Sequence, residues 1–180
     1  EARGLKILVI KLGAIGDVIR TTPLLEGLQR KYPGAEISWI TSGRCMAALD
    51  GNPRISRLVR FSDKNASKLL KEEFDFVVCL DKEPAPACLA SLMHAGRKAG
   101  FGMNPLGKVI PLNMESEEFY LTGISDRLKK ENRKTYQRLM FESVCLKYRG
   151  EKCSFVPGKA AEAKAKSVLE KAGIKPGDRV

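Results

Sequence analysis

The chain has 180 residues, 43% of them hydrophobic and 29% charged, which is enough to bury the core of one ordinary domain. Its 32 Lys and Arg against 21 Asp and Glu give a net charge of +11, a balance that suits acidic partners such as nucleic acid, anionic lipid or a phosphorylated substrate. Because Lys and Arg are spread over many predicted helices and form no run longer than two, an ordinary solvated surface is the favoured interpretation. The five cysteines are widely spaced and form no C-x-x-C pair, so neither a disulfide framework nor a zinc site is indicated and a reducing cytoplasm is expected. No apolar run approaches the ~18 residues that span a bilayer.

The first predicted unit is a strand, a glycine turn and a helix. Ile7–Ile10 is a continuous β-branched apolar run, typical of a strand covered on both faces in a parallel sheet. Gly13 and Gly16 relax the backbone where the chain passes into a helix. Amides at that helix start carry partial positive charge, so the turn that ends at Asp17 can hold an anion such as a pyrophosphate. Pro23 predicts a kink or a restart of the helix.

Strands and helices are then predicted to alternate along the chain. Pro33 and Gly34 end the first helix. Further strands are predicted at 37–41, 57–61, 76–80, 98–101 and 109–112, and further helices at 66–73, 87–96 and 133–148. This alternation requires crossover connections and predicts an α/β fold, a Rossmann-like open parallel sheet with helices on both faces.

The end of the chain predicts an amphipathic helix that stops at Gly173 and Pro176. Its apolar stripe consists of Ala161, Ala165, Val168, Leu169 and Ala172. Residues 177–180 resemble a turn that leads into another strand, although a frayed terminus is the alternative. We therefore expect one domain over residues 1–158, and a linker helix with the start of a second domain over residues 159–180.

Two roles compete for Asp17. Aspartate is a favoured helix cap, and this role suits a residue at the start of a helix, while Thr22 is the matching candidate cap for a helix that begins at Pro23. The second role is chemical, because ligands of open α/β sheets bind beyond the carboxyl ends of the strands, where residues 11–17 lie.

Other ligand classes find little support in the sequence. A dinucleotide fingerprint requires G-x-G-x-x-G and an acidic residue after the second strand, whereas this strand ends in Thr41 and Ser42. The single histidine, His94, is predicted to lie in a helix and to be packed or solvated, so no nucleophilic triad is indicated. Zinc-finger, RRM and basic-zipper patterns are missing, which argues against nucleic acid as a partner. A non-catalytic anion-binding module and a dinucleotide-binding domain remain the alternatives.

Several segments resemble the N-terminal part of the family 9 glycosyltransferases, the ADP-heptose:lipopolysaccharide heptosyltransferases. The segment from Lys6 to Leu25 is the most specific of them, and Tyr32-Pro-Gly-Ala-Glu-Ile-Ser-Trp-Ile follows it. Further matches are Gly51-Asn-Pro-Arg-Ile, Phe74-Asp-Phe-Val-Val-Cys-Leu-Asp81 and Arg97-Lys-Ala-Gly-Phe101. The resemblance covers most of the chain.

The resemblance implies the N-terminal, acceptor-side domain of a GT-B enzyme, in which a second Rossmann-like domain binds most of the donor. Asp17 would be the general base of an inverting, metal-independent transfer from a nucleotide-sugar such as ADP-heptose, without a further cofactor. Substrate contacts would come from Lys11, Arg20 and the turn residues Gly13, Ala14 and Gly16, where many members carry serine at the first two turn positions. The implied acceptor is lipopolysaccharide inner core or a related glycan, reached in the cytoplasm or at the anionic inner membrane. The 180-residue chain alone is expected to be inactive.

Overall fold

A computed structural model describes residues 4–174, without the side chains of residues 159 and 160. One sheet has the strand order β3-β2-β1-β4-β5-β6, in which β1 to β5 are parallel and β6 is antiparallel to β5. The strands are β1 (Lys6–Ile10), β2 (Glu36–Thr41), β3 (Arg57–Arg60), β4 (Glu73–Cys79), β5 (His94–Met103) and β6 (Val109–Pro111). The predicted α/β fold is confirmed. The sheet was expected to be parallel throughout, but its edge strand β6 is antiparallel.

Helices cover both faces of the sheet. They are α1 (Ile15–Thr21), α2 (Pro23–Lys31), α3 (Met46–Leu49), α4 (Asp63–Leu69), α5 (Pro84–Leu92), α6 (Glu117–Ile124), α7 (Asp126–Glu131), α8 (Tyr136–Ser143) and α9 (Lys159–Lys171). Short 3-10 turns occupy Gly43–Cys45 and Met114–Ser116.

The central strand β1 divides the core into two layers because its side chains alternate between the faces. Ile7 and Val9 belong to the layer formed with α1, α2 and α8, whereas Leu8 and Ile10 belong to the layer formed with α4 and α5. All four side chains are fully buried. The continuous apolar run of β1 therefore reflects burial on both faces, as predicted.

Pro23 restarts the helix, as predicted. Helix α1 ends at Thr21 and α2 begins at Pro23, whose missing N–H is not needed at a first helical position. Thr22 between them does not cap α2, because its hydroxyl donates to the carbonyl of Ile19 at 2.7 Å. Its Oγ1 also accepts a hydrogen bond from the amide of Ser154 at 2.8 Å.

Three predicted helices have the wrong bounds. The helix expected over 87–96 ends at Leu92, and His94 opens strand β5 instead of lying in a helix. The helix expected over 66–73 spans Asp63–Leu69, and Glu73 already belongs to β4. The helix expected over 133–148 spans only Tyr136–Ser143.

Helix α8 ends in a Schellman motif. The amide of Leu146 donates to the carbonyl of Phe141, and the amide of Cys145 donates to the carbonyl of Glu142, both at 2.9 Å. Cys145 takes the left-handed position of this motif, with φ of 58°. Tyr148 therefore reaches the core from outside the helix, and its ring packs on Phe141 with centroids 5.1 Å apart.

Helix α9 exposes its apolar stripe, with Val168 57% and Leu169 42% accessible. It ends in a Schellman motif at Gly173, whose φ is 70°. Pro176 and the turn expected over 177–180 lie outside the described residues. Within residues 4–174, no helix is long and apolar enough to cross a membrane.

Candidate functional site

The strand order reverses direction at β1, so that β2 lies on one side of it and β4 on the other. Ligands of open α/β sheets bind in the crevice that such a switch point leaves at the carboxyl ends of the strands. Here the crevice lies between the turn that follows β1 and the residues that follow β4. We call it the mouth.

The turn after β1 is held by a buried carboxylate from the neighbouring strand. Asp81 lies two residues after the end of β4 and is only 3% exposed. Its side chain forms an ion pair with Lys11 and accepts hydrogen bonds from the amides of Leu12 and Gly13, the latter at 3.2 Å. Two amides of the turn, those of Leu12 and Gly13, are thus already bound to a carboxylate of the chain itself.

Lys11, for which a substrate contact was expected, is buried in the structure and paired with Asp81. Its side chain is 7% exposed and its Nζ contacts Asp81. Burial by itself lowers the pKa of Lys11, but the Asp81 carboxylate, with smaller contributions from Tyr136 and Asp17, raises the pKa above its ordinary value. The ammonium therefore stays charged at neutral pH.

The two glycines of the turn differ in their surroundings. Neither Gly13 nor Gly16 is among the glycines with positive φ, so conformational freedom is not what the turn requires of them. A Cβ at position 13 would lie 3.0 Å from both Asp81 Oδ1 and Lys11 Nζ, whereas a Cβ at position 16 would meet no atom within 4 Å. Gly13 thus allows the close approach of the ion pair, and Gly16 leaves open space above the backbone.

Asp17 lies in the first turn of α1 and projects beside the mouth. The structure rules out its role as helix cap, because Ala14 occupies the N-cap position and makes no side-chain hydrogen bond. The carboxylate is 45% exposed and lies 3.4 Å from the guanidinium of Arg20. A half-exposed carboxylate at the mouth can accept a proton from a bound hydroxyl group.

Tyr136 of α8 supports this carboxylate through Arg20. The guanidinium carbon of Arg20 lies 4.4 Å from the centroid of the Tyr136 ring, a cation–π distance. The Tyr136 hydroxyl is 3.4 Å from Thr21 Oγ1 in the same helix as Asp17. The structure therefore brings together Asp17 and Arg20, which the sequence predicted, with a tyrosine that it did not.

Lys82, directly after Asp81, carries an ammonium in an unusual environment. It is surrounded by aromatic rings and lines a cavity of about 240 Å³ that Tyr136 also lines. Burial, with a smaller contribution from the charge of Lys11, lowers its pKa to about 8. Sequence reasoning missed both Asp81 and Lys82 as site residues, although charged residues directly after a buried strand were the available signal.

Comparison with known proteins identifies the fold. No family profile and no curated protein matches the sequence. A solved structure of a family 9 glycosyl transferase from Veillonella parvula covers 97% of this chain at 18% identity and a TM-score of 0.69. The chain has the fold of about half of that glycosyl transferase.

The family 9 fold is matched over only part of its length, because the chain spans 52% of the Veillonella protein. The E. coli heptosyltransferase WaaC with ADP is 16% identical over 97% of this chain, with a TM-score of 0.48. The E. coli heptosyltransferase II is 24% identical over 49% of this chain, with a TM-score of 0.44. The fold assignment therefore rests on the Veillonella structure.

Metal-ligating side chains do not cluster in the part of the chain that the structure describes. No group of three or more His, Cys, Asp or Glu side chains comes together there in a way that could hold a metal ion.

Proposed function

We propose that this chain is the acceptor-side half of an inverting glycosyltransferase, with Asp17 as general base. The observation that carries the proposal is the position of Asp17. Its carboxylate is half-exposed in the first turn of α1, at the switch point of a domain with the family 9 glycosyltransferase fold. The sequence resemblance to heptosyltransferases supports a nucleotide-sugar such as ADP-heptose as donor and a lipopolysaccharide core or related glycan as acceptor.

A carboxylate is a weak base for a sugar hydroxyl, so the timing of proton transfer matters. As the hydroxyl oxygen bonds to the oxocarbenium-like carbon of the donor, the hydroxyl becomes strongly acidic and a well-placed carboxylate then suffices. The proton passes to Asp17 as the bond between the sugar and the nucleotide breaks. Arg20, 3.4 Å away, orients the carboxylate in the free protein. Such a base contributes typically ~10²–10⁴-fold to the rate.

The remaining assignments of the proposal follow the resemblance. The transfer needs no metal and no further cofactor, donor binding belongs mainly to a second domain, and the protein acts in the cytoplasm or at the anionic inner membrane. Of the turn residues, Ala14 and Gly16 are the substrate contacts we retain, because Gly13 and Lys11 are bound to Asp81.

Replacement of Asp17 by Asn in the full-length protein tests the base. We expect ~10²–10⁴-fold slower sugar transfer with an unchanged thermal unfolding midpoint. Asp63→Asn is the matched control, because Asp63 lies in the first turn of α4, which follows the edge strand β3. Transfer by Asp17→Asn at the rate of this control would refute the assignment. Salt-dependent binding of any polyanion, without preference for a nucleotide-sugar, would favour an anion-binding module instead.

A further inference from the structure

The ammonium of Lys82 occupies a notch in helix α6. Its Nζ donates to the carbonyl of Phe119 at 2.7 Å and lies 3.4 Å from the carbonyl of Tyr120. The notch exists because residue 123 is glycine: a Cβ built on Gly123 would overlap Nζ. A side chain that follows β4 is thus inserted into a helix about 40 residues later in the chain.

Aromatic rings enclose the rest of this ammonium. Nζ lies 4.9 Å from the ring centroids of both Phe101 and Phe119, and 5.9 Å from that of Tyr120. Cation–π contacts and carbonyl acceptors both stabilise a positive charge, and they offset part of the cost of its burial. A half-buried lysine held by these contacts ties α6 to the carboxyl end of β4.

A continuous series of contacts runs from Lys82 to Asp17. The ring of Phe119 packs edge-on against Tyr136, with centroids 5.4 Å apart and an interplanar angle of 79°. The guanidinium carbon of Arg20 lies 4.4 Å from the centroid of the Tyr136 ring, and the guanidinium pairs with the Asp17 carboxylate at 3.4 Å. Every step of this series joins side chains in direct contact.

The other titratable groups near Lys82 come from each element around it. Lys11 and Asp81 lie at the ends of β1 and β4, and Tyr120 lies on α6. Lys129 of α7 and Tyr136 of α8 line the same cavity as Lys82. The pKa of Lys82, lowered to about 8, brings its loss of charge into an accessible range of pH.

We propose that Lys82 is a positioning residue of the mouth: its ammonium fixes α6 and, through Phe119 and Tyr136, the place of Arg20 beside Asp17. The meaning of this arrangement for catalysis rests on the proposed function, whereas the arrangement itself does not. The side chain of Lys82 acts through others and does not touch the substrate.

A titration of the wild-type full chain followed by NMR tests the proposal without any variant. The side-chain signals of Arg20 carry a ring-current shift from Tyr136, and the ε-carbon signal of Lys82 reports its own protonation. We expect both signals to change with one common midpoint near pH 8. A Lys82 signal that titrates while the Arg20 signals stay fixed would overturn the proposal.

Two substitutions provide an independent test at neutral pH. Lys82→Met removes the ammonium. Gly123→Ala displaces the ammonium from the notch, and alanine favours the helical backbone at this position. Both should reduce the ring-current shift of Arg20 in a protein that is still folded. The matched control is Lys98→Met, because Lys98 also donates to a carbonyl, that of Ser91 at 2.6 Å, and also has a pKa lowered by burial.

Arg20 signals in Lys82→Met and Gly123→Ala that coincide with those of the control would refute the positioning role. The outcome is independent of the proposed function, because no substrate is present in these measurements. A protein that shows the coupled titration but no sugar transfer would retain the positioning role and lose the glycosyltransferase assignment. A protein that transfers sugar but shows no coupled titration would retain the glycosyltransferase assignment and lose the positioning role of Lys82.

Discussion

Replacement of Asp81 by Asn should destabilise the fold more than loss of any surface ion pair. The carboxylate is 3% exposed and its partner Lys11 is 6% exposed, so the substitution leaves a buried ammonium without its counter-ion. Loss of one partner of a buried pair costs about 3–5 kcal/mol, a large share of the 5–15 kcal/mol that stabilises a typical domain. With a urea dependence of roughly 2 kcal/mol per molar, the unfolding midpoint should fall by about 2 M.

The control for this experiment is Glu72→Gln. Glu72 forms a bidentate pair with Arg57 at 2.8 and 3.1 Å, but both side chains are more than a third exposed, so its loss should cost at most ~1 kcal/mol. Lys11→Met combined with Asp81→Asn should recover part of the loss, since it removes the unpaired charge. A loss of less than ~1 kcal/mol for Asp81→Asn alone would refute the reasoning.

The pH dependence of this ion pair has a definite sign. Because the folded-state pKa of Lys11 is raised, the stabilisation is fully present below the unfolded value of about 10.5 and is lost only as the pH rises through the folded value. Lys82 titrates in the same range and is affected by the charge of Lys11, so the comparison is made between Lys82→Met and the double variant Lys82→Met with Lys11→Met. The difference in their unfolding free energies should be constant from neutral pH to about pH 10 in denaturant titrations.

Three further outcomes can be checked by unfolding experiments. Cys145→Gly should stabilise the chain by up to ~1 kcal/mol, because it relieves a φ of 58°; no gain would show that this conformation is not strained. Gly100→Ala should prevent stable folding, because its φ is +89° and the added Cβ would overlap the carbonyl of Cys79. The control is Gly16→Ala, whose Cβ would meet no atom within 4 Å, and which should leave the unfolding midpoint unchanged or higher. The folded-state pKa of Lys82 is lowered to about 8, so below about pH 8 the folded protein bears the cost of burying a charge. That cost disappears as Lys82 loses its proton. The unfolding free energy of wild type, measured relative to that of Lys82→Met, should therefore rise between pH 8 and 10.5.

The parts of the fold that the sequence predicted well are those in which local pattern and burial agree. The run from Ile7 to Ile10 has one interpretation, because a fully apolar and mostly β-branched segment of this length suits a central strand. Pro23 likewise predicts a break, because proline interrupts the hydrogen bonds of a continuous helix. The carboxylate of Asp17 could be placed at the mouth from the strand–turn–helix order alone, although its role there could not be decided.

The parts that were missed depend on tertiary contacts. The strand predicted at 98–101 is part of β5, but β5 begins earlier, at His94. The residues before 98 include an alanine and a glycine of low strand propensity, and pairing with β4 decides their conformation. The end of α8 falls at a cysteine in the left-handed conformation, where a glycine would have marked it. Lys82 gains its environment from Phe101 and Phe119, which lie far along the chain and could not be assigned to it beforehand.

The antiparallel strand β6 forms one edge of the sheet, where a strand of another copy of the chain could pair. It is only three residues long and ends at Pro111, which has no N–H to offer a further strand. The opposite edge strand, β3, is only four residues long and begins and ends with exposed arginines, Arg57 and Arg60, which disfavour pairing with another strand. Both borders of the sheet are therefore protected against intermolecular strand pairing, which lowers the tendency of the protein to aggregate.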